Sequence, residues 1–213
     1  LKSSNLNSAY SVSYSSILNM ISKYSLNEAI ELLENSFFAY QNNFNIKNLK
    51  KTFTSKLEVL ELLNFKNNNK KSIVLTETYR DKLIVGLELL ENDFTKDMNF
   101  YLMLVCSGLS TTRHDLSLND IYLDTYIKFQ IMEEKINKME SFAGVKKVTS
   151  IEIGWFSIFN EYLHSEDIEL VLSKFNISIG DFIRAGKEAS ELSTKLFNIY
   201  KFKEFKIISD MFN

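Results

Sequence analysis

Proline is absent from this chain of 213 residues, and it holds only six glycines and one cysteine. With helix breakers this scarce, long helices joined by short turns are the expected architecture. A single cysteine favours a reduced thiol in a cytoplasmic protein. The chain also lacks any apolar run near the roughly 18 residues of a membrane span, so no membrane partner is expected. These features predict a mainly α, cytoplasmic protein.

The 25 basic residues nearly balance the 27 acidic ones, which gives a net charge of −2 at pH 7. This balance argues against indiscriminate coating of nucleic acid, so any binding depends on local basic patches. Each such patch can equally be a solvated helix face. The candidates are Lys47, Lys50, Lys51 and Lys56; Lys66, Lys70 and Lys71; Lys146 and Lys147; and Lys195, Lys201, Lys203 and Lys206.

Motifs that carry catalysis are missing as well. The sequence contains neither GxxxxGK[ST] nor GxGxxG, the phosphate- and dinucleotide-binding signatures. The histidines, His114 and His164, are far apart with no Cys/His/Asp cluster around either, which argues against a zinc site. Cys106 lies in the apolar run YLMLVC and is expected to be a buried thiol, while His114-Asp115 resembles a polar turn. We expect no catalytic site, metal or cofactor within this chain.

Residues 1–92 have the element order of a winged-helix domain. Apolar residues at steps of three and four predict helices, and Ser25 with Glu28 has the form of a capping box. The β-branched segment SIVL at residues 72–75 follows a polar stretch typical of a turn between strands, which predicts a two-strand wing. The predicted helices span residues 12–24, 25–41, 46–63 and 76–90.

Residues 93–213 are predicted to form a helical bundle that buries Leu, Ile and Phe faces. No internal repeat and no low-complexity linker interrupts them. The predicted helices span residues 95–107, 117–138, 149–164, 165–174, 178–200 and 202–212.

Three short segments carry a resemblance to a known family. They are SFFAYQ at residues 36–41, LTETYR at 75–80 and FNISIGDFIR at 175–184. Their order and spacing resemble the C-terminal winged-helix and helical-bundle region of superfamily two DExH-box helicases of the Ski-like and HelQ-like kinds. The resemblance covers nearly the whole chain. The second segment departs from the family pattern, since Thr78 and Tyr79 replace the usual Leu-Gly.

The resemblance implies an accessory segment of an ATP-dependent helicase. In that family two RecA-like domains hydrolyse ATP with Mg, and none of their ATP motifs occurs here. The implied partners are therefore RecA-like motor domains, on the same or another chain, and a single strand of DNA or RNA. The family's winged helix packs against the motor, and one long bundle helix stacks against bases of the translocating strand.

An aromatic pair is the predicted stacking element. Trp155 and Tyr162 are seven residues apart, so on a helix they project within about 20° of each other. Aromatic faces stack on any base, worth about 1–3 kcal/mol per base. One of the two aromatic stripes on this helix must nevertheless belong to the core. The pair predicts that both rings are partly exposed and line one cavity.

Basic side chains complete the predicted nucleic-acid site. Arg184 and Lys187 lie one turn apart in the GDFIR helix, where Asp181 is expected to cap the helix and can also pair with Arg184. The full predicted set of nucleic-acid-binding residues is Trp155, Tyr162, Arg184, Lys187, Lys146 and Lys147.

Two further functions fit the same residues. One is a helical protein-interaction module that recruits a partner such as a nuclease, which the negative net charge suits. The other is a duplex-binding winged helix with Lys47, Lys50 and Lys51 on its recognition helix. A positive groove that holds Trp155 favours strand binding, an exposed apolar patch favours protein docking, and a positive recognition helix favours duplex binding.

Overall fold

The computed structural model describes residues 12–36, 46–111, 113, 122–146 and 149–213. These residues form eleven α-helices and no β-strand, so the described chain is mainly α. None of these helices is both long and apolar enough to cross a membrane. The helices are α1 (Tyr14–Ile21), α2 (Leu26–Glu34), α3 (Ile46–Leu62), α4 (Asn69–Thr78), α5 (Leu83–Glu91), α6 (Met98–Ser107), α7 (Leu123–Phe142), α8 (Phe156–Ser165), α9 (Ile168–Phe175), α10 (Ile179–Tyr200) and α11 (Lys203–Asp210).

Short polar side chains determine where many of these helices begin. Each accepts a hydrogen bond from the backbone N–H three residues later, which satisfies one of the free amides of the first turn. The capping box at Ser25 is confirmed, because its N–H donates to Glu28 Oε2 at 2.8 Å while Glu28 N–H donates to Ser25 Oγ at 3.4 Å. The side-chain caps are Ser13, Ser25, Asn68, Asp97, Asp167 and Ser178.

Several helices end without the help of proline or glycine. Tyr79, Glu166, Asn176 and Lys201 follow α4, α8, α9 and α10 with φ angles of 55°, 52°, 47° and 64°. This left-handed region costs a non-glycine residue about 1–2 kcal/mol. The chain therefore accepts local backbone strain at its helix ends.

The chain divides into two compact units. The first comprises Leu1–Tyr79 and Asn137–Val148, and the second comprises Arg80–Ile136 and Thr149–Asn213. This division differs from the predicted boundary between residues 92 and 93, since α5 belongs to the second unit and the end of α7 to the first. Neither unit is therefore a single continuous stretch of the chain.

The interior of the first unit contains charged side chains. Helix α1 packs against α2, α3 and α4 around large apolar residues such as Phe53 and Phe65. Within this core the Tyr14 hydroxyl donates to Glu140 Oε1 at 2.7 Å, and both residues are fully buried. Lys56, also buried, donates to the Val12 carbonyl at 2.5 Å and lies 5.1 Å from the Tyr14 ring centroid.

The predicted wing strand is wrong. Residues 72–75 lie inside α4, which Asn68 caps by accepting from Lys71 N–H at 3.2 Å. Buried Lys71 then donates to the Leu63 carbonyl at 3.0 Å, and Val74 and Leu75 are buried beside it. The cap and this helical spacing of buried positions outweigh the β propensity of a short β-branched run. No strand is present in the described residues to form a wing.

The second unit is built around α6, which contacts α5, α8, α10 and α11. Every residue from Phe100 to Ser107 is buried, so this helix has no solvent-facing side. Gly108 follows it at a close approach of helices, since a Cβ there would lie 2.5 Å from Leu83 Cδ2 and 2.7 Å from Leu192 Cδ2. Helix packing in this unit is therefore determined by steric fit.

Candidate interaction surfaces

Trp155 is a core residue. It precedes the first residue of α8 and is only 3% exposed. Its indole N–H donates to the Thr111 carbonyl at 3.0 Å, and its ring stacks on Phe159 with centroids 5.4 Å apart. Both the polar atom and the aromatic face thus already have protein partners. The prediction that the Trp155 ring is exposed for base stacking is wrong.

Tyr162 belongs to the same aromatic cluster, which we define as Trp155, Phe159, Tyr162, Phe182 and Phe212. Its half-buried ring meets Phe182 edge-on at 5.1 Å and lies nearly parallel to Phe212 at 6.1 Å. Phe159 and Phe212 are in contact at 4.6 Å within the cluster. The seven-residue spacing does bring Trp155 and Tyr162 into one cluster, but the rings around them are supplied by the protein. Of the two rings predicted to stack on bases, only Tyr162 is partly exposed, because Trp155 is buried.

Arg184 and Lys187 are exposed on α10. Arg184 Nη2 forms an ion pair with Asp181 Oδ1 at 2.7 Å, which is the structural alternative considered for this residue. The helix cap itself is Ser178 and not Asp181, because Ser178 Oγ accepts from Asp181 N–H at 3.0 Å. Exposed ion pairs of this kind contribute at most about 1 kcal/mol, so Arg184 retains freedom to change partner.

The predicted lysines do not share one environment. Lys146 is exposed but belongs to the first unit, and Lys147 lies outside the described residues. Lys56 and Lys71 are buried, so they are excluded as surface contacts. By contrast Lys47, Lys50 and Lys51 are exposed over the first turns of α3. Of the six predicted nucleic-acid-binding residues, Trp155 is buried and Tyr162 is half-buried, whereas Arg184, Lys187 and Lys146 are exposed.

Glu188 organises the loop after α6, and sequence reasoning missed it. Its carboxylate accepts from Ser110 N–H at 2.8 Å and Oγ at 2.7 Å, and from Thr111 N–H at 3.4 Å and Oγ1 at 3.0 Å. Partial burial raises the pKa of Glu188, but these hydrogen bonds outweigh it and leave the pKa below its ordinary value. The loop so held includes the carbonyl that accepts from Trp155. A contact across 78 residues leaves no local sequence signal.

Cys106 is buried on α6, as its apolar surroundings predict. Burial raises the pKa of its thiol far above the ordinary value, so the thiol is neutral at physiological pH and a poor nucleophile. Within the part of the chain that the structure describes, no group of three or more His, Cys, Asp and Glu residues is arranged to hold a metal. His114 lies outside the described residues.

Helix α7 presents aliphatic side chains on its outward face. Leu123, Ile127 and Ile131 are 42%, 39% and 62% exposed. They recur at every fourth position, so they line one side of the helix, and we call them the α7 stripe. Phe129, Met132 and Ile136 are buried on the opposite side. The helix is thus apolar on two faces, and among the described residues the buried face contacts Phe100 through Phe129 while the α7 stripe is exposed.

A groove lies along α2 in the first unit. Its volume is about 330 Å³, and it is lined by Tyr24, Glu28, Glu31, Leu32 and Asn35. Tyr24 and Leu32 are 46% and 47% exposed. We call this feature the α2 groove. It combines apolar and acidic side chains on a face of α2 that the described residues leave exposed.

No family model, no curated protein and no solved structure matches this chain significantly.

Proposed function

We propose that this chain is a helical protein-interaction module, and that the α7 stripe is its docking surface. The observation that carries this proposal is the set of three exposed aliphatic side chains at every fourth position of one helix, opposite its buried face. Single exposed aliphatic residues are normal on protein surfaces, whereas contiguous exposed apolar patches are typical of interaction sites. The net charge of −2 suits a protein partner better than a polyanion.

The geometry of the stripe indicates the form of the partner. Successive stripe residues are about 6 Å apart along the helix axis. An apolar face of a second helix, with anchors at steps of three and four, matches that repeat in the manner of helix-in-groove recognition. Each aliphatic side chain contributes on the order of 1–2 kcal/mol when a partner removes its exposed surface from water. Three together contribute about 3–6 kcal/mol, whereas micromolar binding needs about 8 kcal/mol after the cost of association, so the partner must also make contacts outside the stripe.

Selection of peptides that bind the intact chain, from a displayed library of random helical sequences, tests this function. We expect selected peptides with apolar residues at steps of three and four, and at least tenfold weaker binding by the Ile127→Asp/Ile131→Asp variant. The matched control is Ile179→Asp/Ile183→Asp, which introduces the same change at exposed positions with the same spacing on α10. Equal loss in both variants, or no loss in the stripe variant, would refute the proposal. Thermal melts establish that both variants fold.

A second candidate is nucleic-acid contact, as the resemblance to DExH-box helicases implies. In that role the segment would guide and grip a single strand for a RecA-like motor that uses ATP and Mg. It is favoured by the exposed lysines Lys47, Lys50 and Lys51, which lie within the first two turns of α3. The same residues would serve the duplex-binding alternative, although the described part of α4 forms a helix where a wing was predicted. Base stacking by Trp155 has no place in either version.

Fluorescence anisotropy of a labelled single strand and of its duplex separates these versions. Three neutralised phosphates predict a single-strand affinity that falls roughly twentyfold for a fourfold rise in salt. The Lys47→Glu/Lys50→Glu/Lys51→Glu variant is expected to abolish that binding. Comparison with Arg184→Glu/Lys187→Glu shows whether the predicted residues of α10 contribute. Salt-independent binding, or equal binding by all variants, would remove this candidate.

A further inference from the structure

The α2 groove is formed entirely by residues close together in the chain. All of its lining residues lie between Tyr24 and Asn35, in the turn before α2, the helix itself and the residue that follows it. The helix is held in place from behind, because Ala29, Ile30 and Leu33 are buried and α2 packs against α3. The groove is therefore a preformed surface feature of a packed helix and needs no rearrangement to exist.

Two of the five residues that line this groove have large apolar surfaces. Tyr24 and Leu32 leave nearly half of their surfaces exposed. A volume of about 330 Å³ is at the small end of ligand sites, which span roughly 300–1,000 Å³. The groove thus has room for one or two side chains of a partner segment and not for a large cofactor.

Charge in the groove has one sign. Glu28 and Glu31 line it, Glu34 follows on the same helix, and α2 contains no cationic residue. Within the described part of the chain, neither Glu28 nor Glu31 forms an ion pair. Hydrogen bonds from Ser25 lower the pKa of Glu28, so its carboxylate stays ionised at neutral pH. An apolar, anionic surface without internal counter-charge is complementary to an apolar, cationic one.

We propose that the α2 groove binds a cationic amphipathic helix of a partner protein. An aliphatic side chain of that helix enters between Tyr24 and Leu32, and a Lys or Arg one turn away pairs with Glu31. A cation that passes over the Tyr24 ring gains a further attraction from its π face. The groove lies in the first unit and the α7 stripe in the second, and the two share no residue, so this proposal concerns other side chains than the proposed function does.

A defined peptide probe tests this assignment on the intact chain. The probe is a fluorescein-labelled fourteen-residue helix of Leu and Lys, with Leu at steps of three and four, and its counterpart has Glu in place of Lys. We expect the Lys peptide to bind at least tenfold more tightly than the Glu peptide. Glu31→Lys and Leu32→Asp should each weaken binding of the Lys peptide at least tenfold. Glu28 is left unchanged because it also caps α2.

Matched controls come from α3 in the same unit. Glu58 and Leu62 are exposed there and do not line the groove, so Glu58→Lys and Leu62→Asp should leave binding within twofold. Equal losses in groove and control variants would show diffuse attraction to an acidic chain and overturn the proposal. Equal binding of both peptides would also overturn it, since charge would then play no role.

Two further outcomes would show that the peptide binds elsewhere or that the groove has another occupant. Binding that is lost in Ile127→Asp/Ile131→Asp but kept in Glu31→Lys would place the peptide on the α7 stripe and refute the groove. Light scattering after gel filtration measures the mass of the chain alone. A dimer that Leu32→Asp converts to a monomer would identify a second copy as the occupant and would also refute the proposal.

Discussion

The interiors of the two units contain different kinds of buried residue. In the described residues of the first unit, three charged side chains are buried, namely Lys56, Lys71 and Glu140. Among the described residues of the second unit, no charged side chain is buried. Its interior is packed with aromatic rings and with helices that approach closely at Gly108. The first interior thus depends on satisfied polar groups, and the second depends on shape.

This difference accounts for the burial of Trp155, whose ring was predicted to be exposed. A large ring in a unit stabilised by aromatic packing is used for that packing, and its indole N–H finds a loop carbonyl. The surfaces available to partners are instead helix faces that are exposed in the described residues. The α7 stripe and the α2 groove are such faces, one in each unit.

The largest expected effect is the loss of the Trp155 ring from the second unit. Trp155→Ala should reduce the free energy of unfolding by about 4 kcal/mol, because it leaves a cavity beside Phe159 and removes the hydrogen bond to Thr111. Urea denaturation followed by circular dichroism measures this loss. Trp155→Phe keeps a ring and should cost about half as much. A loss below about 1 kcal/mol for Trp155→Ala would contradict the core assignment.

In the first unit the corresponding test removes a buried polar partner. Glu140→Met should cost about 3 kcal/mol, because the buried Tyr14 hydroxyl loses its acceptor while little volume changes. Glu140→Gln keeps an acceptor oxygen and should cost clearly less. The two variants are compared by urea denaturation at pH 7. If the methionine variant were as stable as the wild type, the interior would not depend on this hydrogen bond.

A smaller effect is expected from Glu188, and it should depend on pH. Because the folded-state pKa of Glu188 lies below its unfolded value, its stabilisation is complete above about pH 4.3 and is lost as pH falls through the folded pKa. Glu188→Gln should cost about 1 kcal/mol at pH 7, since the carboxylate is partly exposed and screened. The difference from wild type should shrink below about pH 4.

Thermal unfolding measured at several pH values tests this behaviour. Glu191→Gln on the same helix is the matched control, because Glu191 is exposed and should contribute little at any pH. A difference between wild type and Glu188→Gln that persists unchanged at pH 3 would show that charge is not the source of the stabilisation.

The smallest effects should be the same in both units. Tyr79 ends α4 in the first unit and Lys201 ends α10 in the second, both with left-handed backbones. Tyr79→Gly and Lys201→Gly should each stabilise the protein by about 0.5–1 kcal/mol, because glycine adopts this conformation without strain. Thermal melts measure the gain. Unequal effects would indicate that side-chain contacts at one site outweigh the backbone term.

Most helices follow from local sequence patterns. The capping box at Ser25 and the apolar spacing over residues 178–200 predict elements that the structure contains as α2 and α10. Prediction failed at residues 72–75, where a short β-branched run resembles a strand. The packing of α4 against α1 and the contact of Lys71 with Leu63 could not be anticipated from propensity.

The candidate surfaces were harder to predict than the fold. The outward side of α7 is recognisable in the sequence as an excess of aliphatic residues, but which of its two apolar faces is covered depends on the rest of the unit. The α2 groove needed exposed Tyr24 and Leu32 beside Glu31, and exposure is not a local property. The helicase resemblance and its strand-binding role stay predictions that the anisotropy experiment addresses.

Features that depend on neighbours within one helical turn were present in the amino-acid order alone. They include the mainly α class of a chain without proline and the capping box at Ser25. Features that depend on partners far along the chain required the folded structure, as with Trp155 at Thr111 and Glu188 at Ser110. The physical reason is range, because a cap acts across three residues, whereas burial is the outcome of every contact a unit makes.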